Sequence, residues 1–423
     1  MTDEQTLLET TLPPLLPQEQ PGEDLVFPEA LRGKRILIAT ESLGPVNGVS
    51  RATLSLIEYL NRHEVPLAIL APRFETKNGN SLLNADAAVR LKGVPLPYNP
   101  ELQVVFPFRL SRVYRQTFQP DLIYLASPAS LGGQILWQLR GRRNPPVVVN
   151  FQTDLAAYAR TIFPFGLNRI TGWAVDGMQS HLFRYPAVRK VFYPSSASGS
   201  YLEKLGVSRD KLVRVGRGVN TTLFNPSNRD EAWRQELAPN GEIILGCVSR
   251  ISLEKGFDFL AQVALKLAAD NFPFKMLITG GNRNPLVEKN IRKLFGDLDG
   301  RQVVFTGLLQ GQPLARAYAT ADIFVYPSLT ETFGQVIQEA MASGLPVIAR
   351  NQGGPGDIVQ PDKTGYLIPP DDLDGFVAAI KKLASQPQLQ KEFSEKARQL
   401  ACQATWENVN NQIARHFSEA LED

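Results

Sequence analysis

The sequence predicts an α/β protein built from two doubly wound, Rossmann-like domains that face each other across a cleft. Three observations carry that expectation. Short apolar runs alternate with amphipathic helical stretches along most of the chain, as they do where a parallel sheet is covered on both faces. The alternation restarts after Gly216-Arg-Gly-Val-Asn220, so a second unit follows the first. A chain of 423 residues is also too long for one ordinary core, and two domains are the natural division.

Residues 1 to 30 are rich in Pro, Glu and Gln and contain no Lys or Arg. That composition predicts a disordered tail and not a targeting signal. The first strand is Arg35 to Thr40, followed by the loop Glu41-Ser-Leu-Gly-Pro-Val-Asn-Gly48 and a helix marked by Leu54, Leu56, Ile57 and Leu60. Further strands are expected at Leu67 to Ala71, Leu122 to Leu125, Val147 to Phe151 and Lys190 to Tyr193. In the second unit they are Ile243 to Val248, Lys275 to Thr279, Gln302 to Thr306, Asp322 to Tyr326 and Pro346 to Ala349, with helices over 256–270, 311–320, 335–343 and 372–385. This places an N-terminal domain at 31–215, a hinge around 214–226 and a C-terminal domain at 216–395. The helices of 396–423 are expected to pack back on the first domain. Neither half contains G-x-G-x-x-G, which argues against a nicotinamide or flavin enzyme.

Composition excludes several classes. The 43% hydrophobic and 21% charged content is that of a globular protein, and a net charge of +3 implies no partner. Two cysteines (Cys247, Cys402) and three scattered histidines (His63, His181, His416) lack metal-ligand or triad spacing. No apolar run of eighteen residues and no signal-peptide pattern occurs, so the expected location is the cytoplasm. Positions 101 to 200 carry eleven Lys/Arg against four Asp/Glu, an excess of seven positive charges. This is either an ordinary basic surface or a contact with an anionic membrane or lipid acceptor. Nucleic acid is disfavoured, because no recognised module accompanies the charge. The stretch 107–118 mixes Arg109, Arg112 and Arg115 with Phe108, Leu110, Val113 and Phe118. As a helix it suits either a membrane interface or a surface helix whose apolar side belongs to the core.

The chemistry concentrates in Ser328-Leu-Thr-Glu-Thr-Phe-Gly-Gln-Val-Ile-Gln-Glu-Ala-Met-Ala-Ser-Gly344. Glu331 falls where a strand ends and a helix begins, and Glu339, eight positions on, about two turns into that helix by the period of about 3.6 residues. A helix N-terminus at a crevice attracts anions. Carboxylates beside it suit sugar or ribose hydroxyls, not phosphate. Arg250 and Lys255 follow the strand Ile243 to Val248 and suit a diphosphate, whose charge grows as it departs. At the matching edge of the first half, Gly48 lets backbone amides approach a phosphate. Gln152, Thr153 and Asp154 end another strand; they face the cleft, or form a turn with Asp154 as a helix cap. Two D-x-D pairs, Asp297 with Asp299 and Asp372 with Asp374, read as a polar turn and a helix start, so no metal site is expected.

These residues resemble retaining glycosyltransferases of family 4, which have the GT-B fold. The similarity runs from about Lys34 to Ala384 and includes Pro45-Val-Asn-Gly-Val49, Gly218-Val-Asn220, Arg250 with Lys255, Phe305-Thr-Gly307, Glu331 with Glu339 and Gly353-Gly-Pro355. Within the family the chain is most similar to GDP-mannose-dependent alpha-mannosyltransferases acting on glycolipids, and next to sulfoquinovosyl-diacylglycerol synthases. Asp121-Leu-Ile-Tyr-Leu-Ala-Ser-Pro128, Phe151-Gln-Thr-Asp154, Val215-Gly-Arg-Gly-Val219 and Gly334-Gln-Val-Ile-Gln-Glu339 carry that narrower resemblance.

The resemblance implies roles. Glu331 would bind the donor sugar's hydroxyls with the amides of Phe333 and Gly334, beside Thr332, and Glu339 the ribose. Arg250 and Lys255 would hold the diphosphate, with Asn47 and Gly48 closing from the other domain and Asp154 on the donor. Leu309 would lie beside the base. Many relatives have histidine where Gln152 stands; glutamine cannot act as a base, and a positional role toward the sugar remains. The implied reaction is metal-independent hexose transfer with retention, from a nucleoside diphosphate sugar to a lipid or lipophilic acceptor, without a cofactor. Alternatives are a UDP-sugar-dependent glucosyl or sulfoquinovosyl transferase, a starch or glycogen synthase, and a non-catalytic nucleotide-sugar-binding protein.

Overall fold

The computed structural model describes residues 26–41, 43, 48–73, 88–96, 99–127, 129–139, 144–152, 167–282 and 284–422. Of the tail expected over 1–30, residues 1–25 lie outside the described residues, as do the loop over 44–47 with Asn47, and Thr153 and Asp154. Residues 26–30 are not a tail, because Phe27 is buried in the first half's core and stacks on His63 with ring centroids 4.3 Å apart.

The first half forms a seven-stranded parallel sheet in the order β3-β2-β1-β6-β7-β8-β9. Its strands are β1 (Ile36–Thr40), β2 (Leu67–Pro72), β3 (Ala88–Leu91), β6 (Leu122–Ser127), β7 (Val147–Asn150), β8 (Val188–Tyr193) and β9 (Leu212–Arg214). Between β3 and β6, β4 (Gly93–Leu96) and β5 (Asn99–Val105) make a separate antiparallel hairpin. The second half is a six-stranded parallel sheet, β12-β11-β10-β13-β14-β15. It comprises β10 (Ile243–Val248), β11 (Phe274–Thr279), β12 (Val303–Gly307), β13 (Ile323–Tyr326), β14 (Val347–Arg350) and β15 (Gly365–Ile368).

Continuous burial explains why apolar runs became central strands. Every residue of β1, β2, β13 and β14 is buried, as expected where helices cover both faces of a parallel sheet. Side chains alternate between two cores, because a strand repeats every second residue. In β11, Met276 and Ile278 join the cluster around Phe257 and Phe376, while Leu277 joins the opposite cluster around Tyr318 and Phe324. The edge strands β3, β9 and β15 escaped the sequence reading. They are only three or four residues long, too short to show a period.

Two chain segments cross between the halves. Helix Pro387–Gln403 contributes Phe393, Ala397 and Ala401 to the second half's clusters, whereas helix Trp406–Glu422 lays Val409, Ile413, Ala414, Phe417 and Ala420 on the first half's core. The crossing at 404–406 runs beside the linker: Val219 N donates to the Ala404 carbonyl at 2.8 Å, and Val219 bridges Thr405. Gly218 is needed there, since a Cβ would lie 2.4 Å from the Trp406 Cα.

Helix Leu110–Gln116 resolves one alternative. Leu110 and Val113 are buried in the first half's core, with Phe108, Tyr114 and Phe118 packed against it. Arg109, Arg112 and Arg115 face solvent. The apolar side therefore belongs to the core.

Candidate active site

In each sheet the strand order reverses beside the first strand of the half, between β1 and β6 and between β10 and β13. Ligands of such folds bind beyond the carboxyl ends of strands at that crevice. Of the polar residues singled out from sequence, Gln152, Lys255, Glu331 and Glu339 lie at those two edges.

Glu331 lies in the loop between β13 and helix Gln335–Ala342. Gly334 opens that helix at φ 107°, a conformation other residues rarely adopt. The Gly353-Gly354 turn braces the loop: Gly354 N donates to the Glu331 carbonyl at 2.9 Å, and a Cβ on Gly353 would sit 2.4 Å from that oxygen. Arg350 Nη1 donates to the Pro327 carbonyl at 3.1 Å from beneath. Glu331 Oε2 accepts from Lys255 Nζ at 2.9 Å and from the Tyr326 hydroxyl at 2.6 Å. Burial pushes the Glu331 carboxyl up; the Lys255 charge, the Tyr326 and Lys255 hydrogen bonds and Arg217 outweigh it and hold the group below its ordinary value. The second oxygen, Oε1, accepts no hydrogen bond among the described residues.

Glu339 is the fifth residue of helix Gln335–Ala342, so it sits just past one turn. Two turns were expected, and the difference arises because the helix starts four residues after Glu331. Glu339 is buried. Its Oε1 accepts from Arg51 Nη1 at 3.0 Å and its Oε2 from the Tyr318 hydroxyl at 3.0 Å. Burial raises this carboxyl despite Arg51 and Tyr318.

The two expected diphosphate cations are placed differently. Lys255 is 12% exposed against Glu331, held by a turn in which Gly256, at φ 77°, lets the Pro327 carbonyl come within 2.4 Å of where a Cβ would be. Arg250 is 66% exposed and faces Glu254 at 3.6 Å, apart from the contacts of Glu331. Leu309 follows β12 and packs, partly buried, on the cluster containing Tyr318 and Phe333. Thr332 is partly exposed beside Phe333, which is buried.

Gln152 is tied at both ends of its amide. Nε2 donates to the Ala126 carbonyl at 2.8 Å, and Oε1 accepts from Arg217 Nη2 at 3.3 Å. Arg217 itself lies on the linker, its guanidinium carbon 5.8 Å from the Phe333 ring centroid. A Cβ on Gly48 would lie 2.3 Å from Arg217 Nη1, so the glycine clears space for that guanidinium.

Arg51, Tyr318, Tyr326 and Arg217 carry much of this geometry and had no assigned role from sequence. Only Arg217 left a signal, within Val215-Gly-Arg-Gly-Val219. Of the two D-x-D pairs, Asp372 caps its helix through Gly375 N at 2.8 Å and Asp299 pairs with Arg292 at 3.3 Å. Among the described residues no group of three or more His, Cys, Asp or Glu is arranged to hold a metal ion.

Two Rossmann-like domains whose sheet edges bring Glu331, Lys255 and Glu339 to one crevice define a glycosyltransferase of the GT-B kind. Comparison with known proteins agrees. Residues 46–223 match the model for Glycosyltransferase Family 4 and residues 228–400 that for Glycosyl transferases group 1. A GDP-mannose-dependent alpha-mannosyltransferase of Mycolicibacterium smegmatis is 35% identical over 92% of this chain and 98% of its own. The protein of that description from Mycobacterium tuberculosis is 33% identical over 91% and 96%. Sulfoquinovosyl transferase SQD2 of Arabidopsis thaliana is 31% identical over 76% of this chain and 61% of its own. Among solved structures, Anabaena HepE in complex with UDP superposes with a TM-score of 0.72 at 21% identity, covering 91% of this chain and all of that one. Sucrose-phosphate synthase from Thermosynechococcus elongatus gives 0.70 at 21% identity over 91% and 99%. The chain belongs to glycosyltransferase family 4. It is an enzyme that transfers a sugar from a nucleotide sugar.

Proposed function

We propose that the protein moves mannose from GDP-mannose to a hydroxyl of a lipid or lipophilic acceptor, with retention and without a bound metal. The donor follows the relatives named GDP-mannose-dependent alpha-mannosyltransferases, at 35%, 33% and 29% identity. The observation that carries the chemistry is Glu331: Lys255 and Tyr326 fix one carboxylate oxygen and leave the other to accept from sugar hydroxyls. An ionised carboxylate so held is an anchor and a poor nucleophile, since its charge is already engaged.

The bond from the anomeric carbon to the diphosphate oxygen breaks as the acceptor oxygen attaches on the same face. The acceptor's proton passes to the departing diphosphate oxygen. Lys255 and, after a swing from solvent, Arg250 offset the charge that develops there. Gln152 has no basic form and takes no proton. Closure of the cleft over the donor excludes water and limits hydrolysis.

A thermal-shift panel of GDP, UDP and ADP with their sugars tests the donor, because a ligand of the native state raises apparent stability by mass action. GDP and GDP-mannose are expected to shift Tm most. A larger shift with UDP would favour the UDP-sugar alternative that the similarity to SQD2 keeps open. Glu331→Ala should lower turnover at least about a hundredfold with an unchanged circular dichroism spectrum; near-normal turnover would sink the anchor role.

A further inference from the structure

We propose that Arg217, carried on the linker between the domains, is a ligand of the donor's diphosphate; the proposal rests on the nucleotide-sugar reading of the cleft. Its guanidinium is enclosed by both halves: Gln152 and Gly48 from the first, Phe333 from the second. Among the described residues no carboxylate pairs with it, and the charge that acts on it most, Glu331, is already bonded to Lys255. A partly buried guanidinium whose one hydrogen bond among the described residues goes to a neutral amide is uncompensated by them, which is costly unless an anion completes it.

The surroundings raise that cost. Gly48 is the first residue of the fifteen-residue helix Gly48–Arg62, so Arg217 Nη1 points at a helix N-terminus and its unpaired N–H groups. Phe333, under the guanidinium, directly precedes Gly334 at the start of helix Gln335–Ala342. Two positive helix ends, Arg217 and the Lys255 ammonium therefore bound one space. Like charges converge this way where a multiply charged anion is to be held. The planar guanidinium offers two parallel donors, which match phosphate oxygens.

Gln152 acquires a role from this arrangement. Its amide oxygen accepts from Arg217 while its nitrogen is anchored on Ala126, so it aims the guanidinium into the cleft. A protonated histidine at this position would repel the cation, whereas glutamine holds it at any pH.

The test is titration of the full-length protein and Arg217→Met with GDP and GMP, and in parallel UDP and UMP, by calorimetry. Loss of a charge-assisted contact to the second phosphate predicts diphosphate binding weaker by about ten- to a hundredfold, and monophosphate binding changed by less than about threefold. The ligand-free variant should melt at or above the wild-type temperature, because an unpaired charge has been removed. Equal weakening of di- and monophosphate, or unchanged diphosphate binding, overturns the proposal. Gly48→Ala gives a second reading without touching the charge: its Cβ displaces the guanidinium, so it should weaken GDP binding in the wild type and add little to Arg217→Met. Unaltered GDP binding in Gly48→Ala would show that the guanidinium does not reach the diphosphate from this position and would refute the site. Failure of the wild type to bind either diphosphate would remove the nucleotide-sugar reading itself, a result distinct from a null effect of the variants.

Discussion

Arg51, in the first turn of helix Gly48–Arg62, donates to Glu339 across the cleft at 3.0 Å. The residue proposed to take the ribose thus already holds the opposite domain. Ribose hydroxyls on Glu339 must share or replace that bond. Glu339→Gln keeps an acceptor for Tyr318 but loses the ionic tie. The donor KM is expected to rise about tenfold, with kcat within about threefold, the pattern of lost uniform binding. A fall in kcat at constant KM would contradict a ribose role and place Glu339 nearer the chemistry.

Glu41, just beyond β1, is buried at the start of helix Ser130–Gln138, where Leu131 N donates to it. Burial pushes its carboxyl up to about 8, against hydrogen bonds from Leu131, Ser130 and Ala129. A folded-state value above the unfolded one means the native protein binds this proton more tightly. Its contribution is complete below about 4.5 and is lost as pH rises through about 8. Urea midpoints measured from pH 5 to 9 should therefore fall with pH, on the order of 1–3 kcal/mol from this group. Glu41→Gln should flatten the profile. A variant that retains the wild-type slope would show that Glu41 is ionised throughout.

Arg109, Arg112 and Arg115 leave the core side of their helix to Leu110 and Val113 and stand exposed. Phe106, just before this helix, is 54% exposed, and Trp137 is 65% exposed on the neighbouring helix, whose Gln138 accepts from Leu110 N at 2.7 Å. With the apolar side of this helix in the core, any contact with an anionic membrane would have to run through its basic face alone; among the described residues no helix is long and apolar enough to cross a membrane. Flotation with phosphatidylglycerol vesicles should carry the protein at low salt. The triple change of these arginines to Gln should abolish it, as should salt at several hundred millimolar. Flotation unaffected by either would rule out this face.

Much of the architecture was legible because strands buried on both faces must be apolar throughout. Ile243–Val248 and Gly311–Thr320 have the ends their sequences suggested. The site was legible where chemistry is local: Glu331, Lys255 and the glycines around them lie in loops that leave adjacent strands. Partners supplied from afar were not. Arg51 is 288 residues from Glu339, and nothing in a helical period marks one arginine as crossing a cleft. Tyr318 and Tyr326 read as core aromatics because their rings are buried in the core; only their hydroxyls do something else. The placing of Gln152 also needed three dimensions, since its importance lies in what it aims.

The linker at Val219 and the return crossing at Thr405 run side by side. A body suspended on two adjacent tethers can swing about the line through them but resists sliding or twisting away from it. Arg217 sits two residues from that axis, where rotation moves atoms least. In the cleft closure proposed above, groups far from this line would move most and the guanidinium least, which would leave it a fixed point on which the two domains realign.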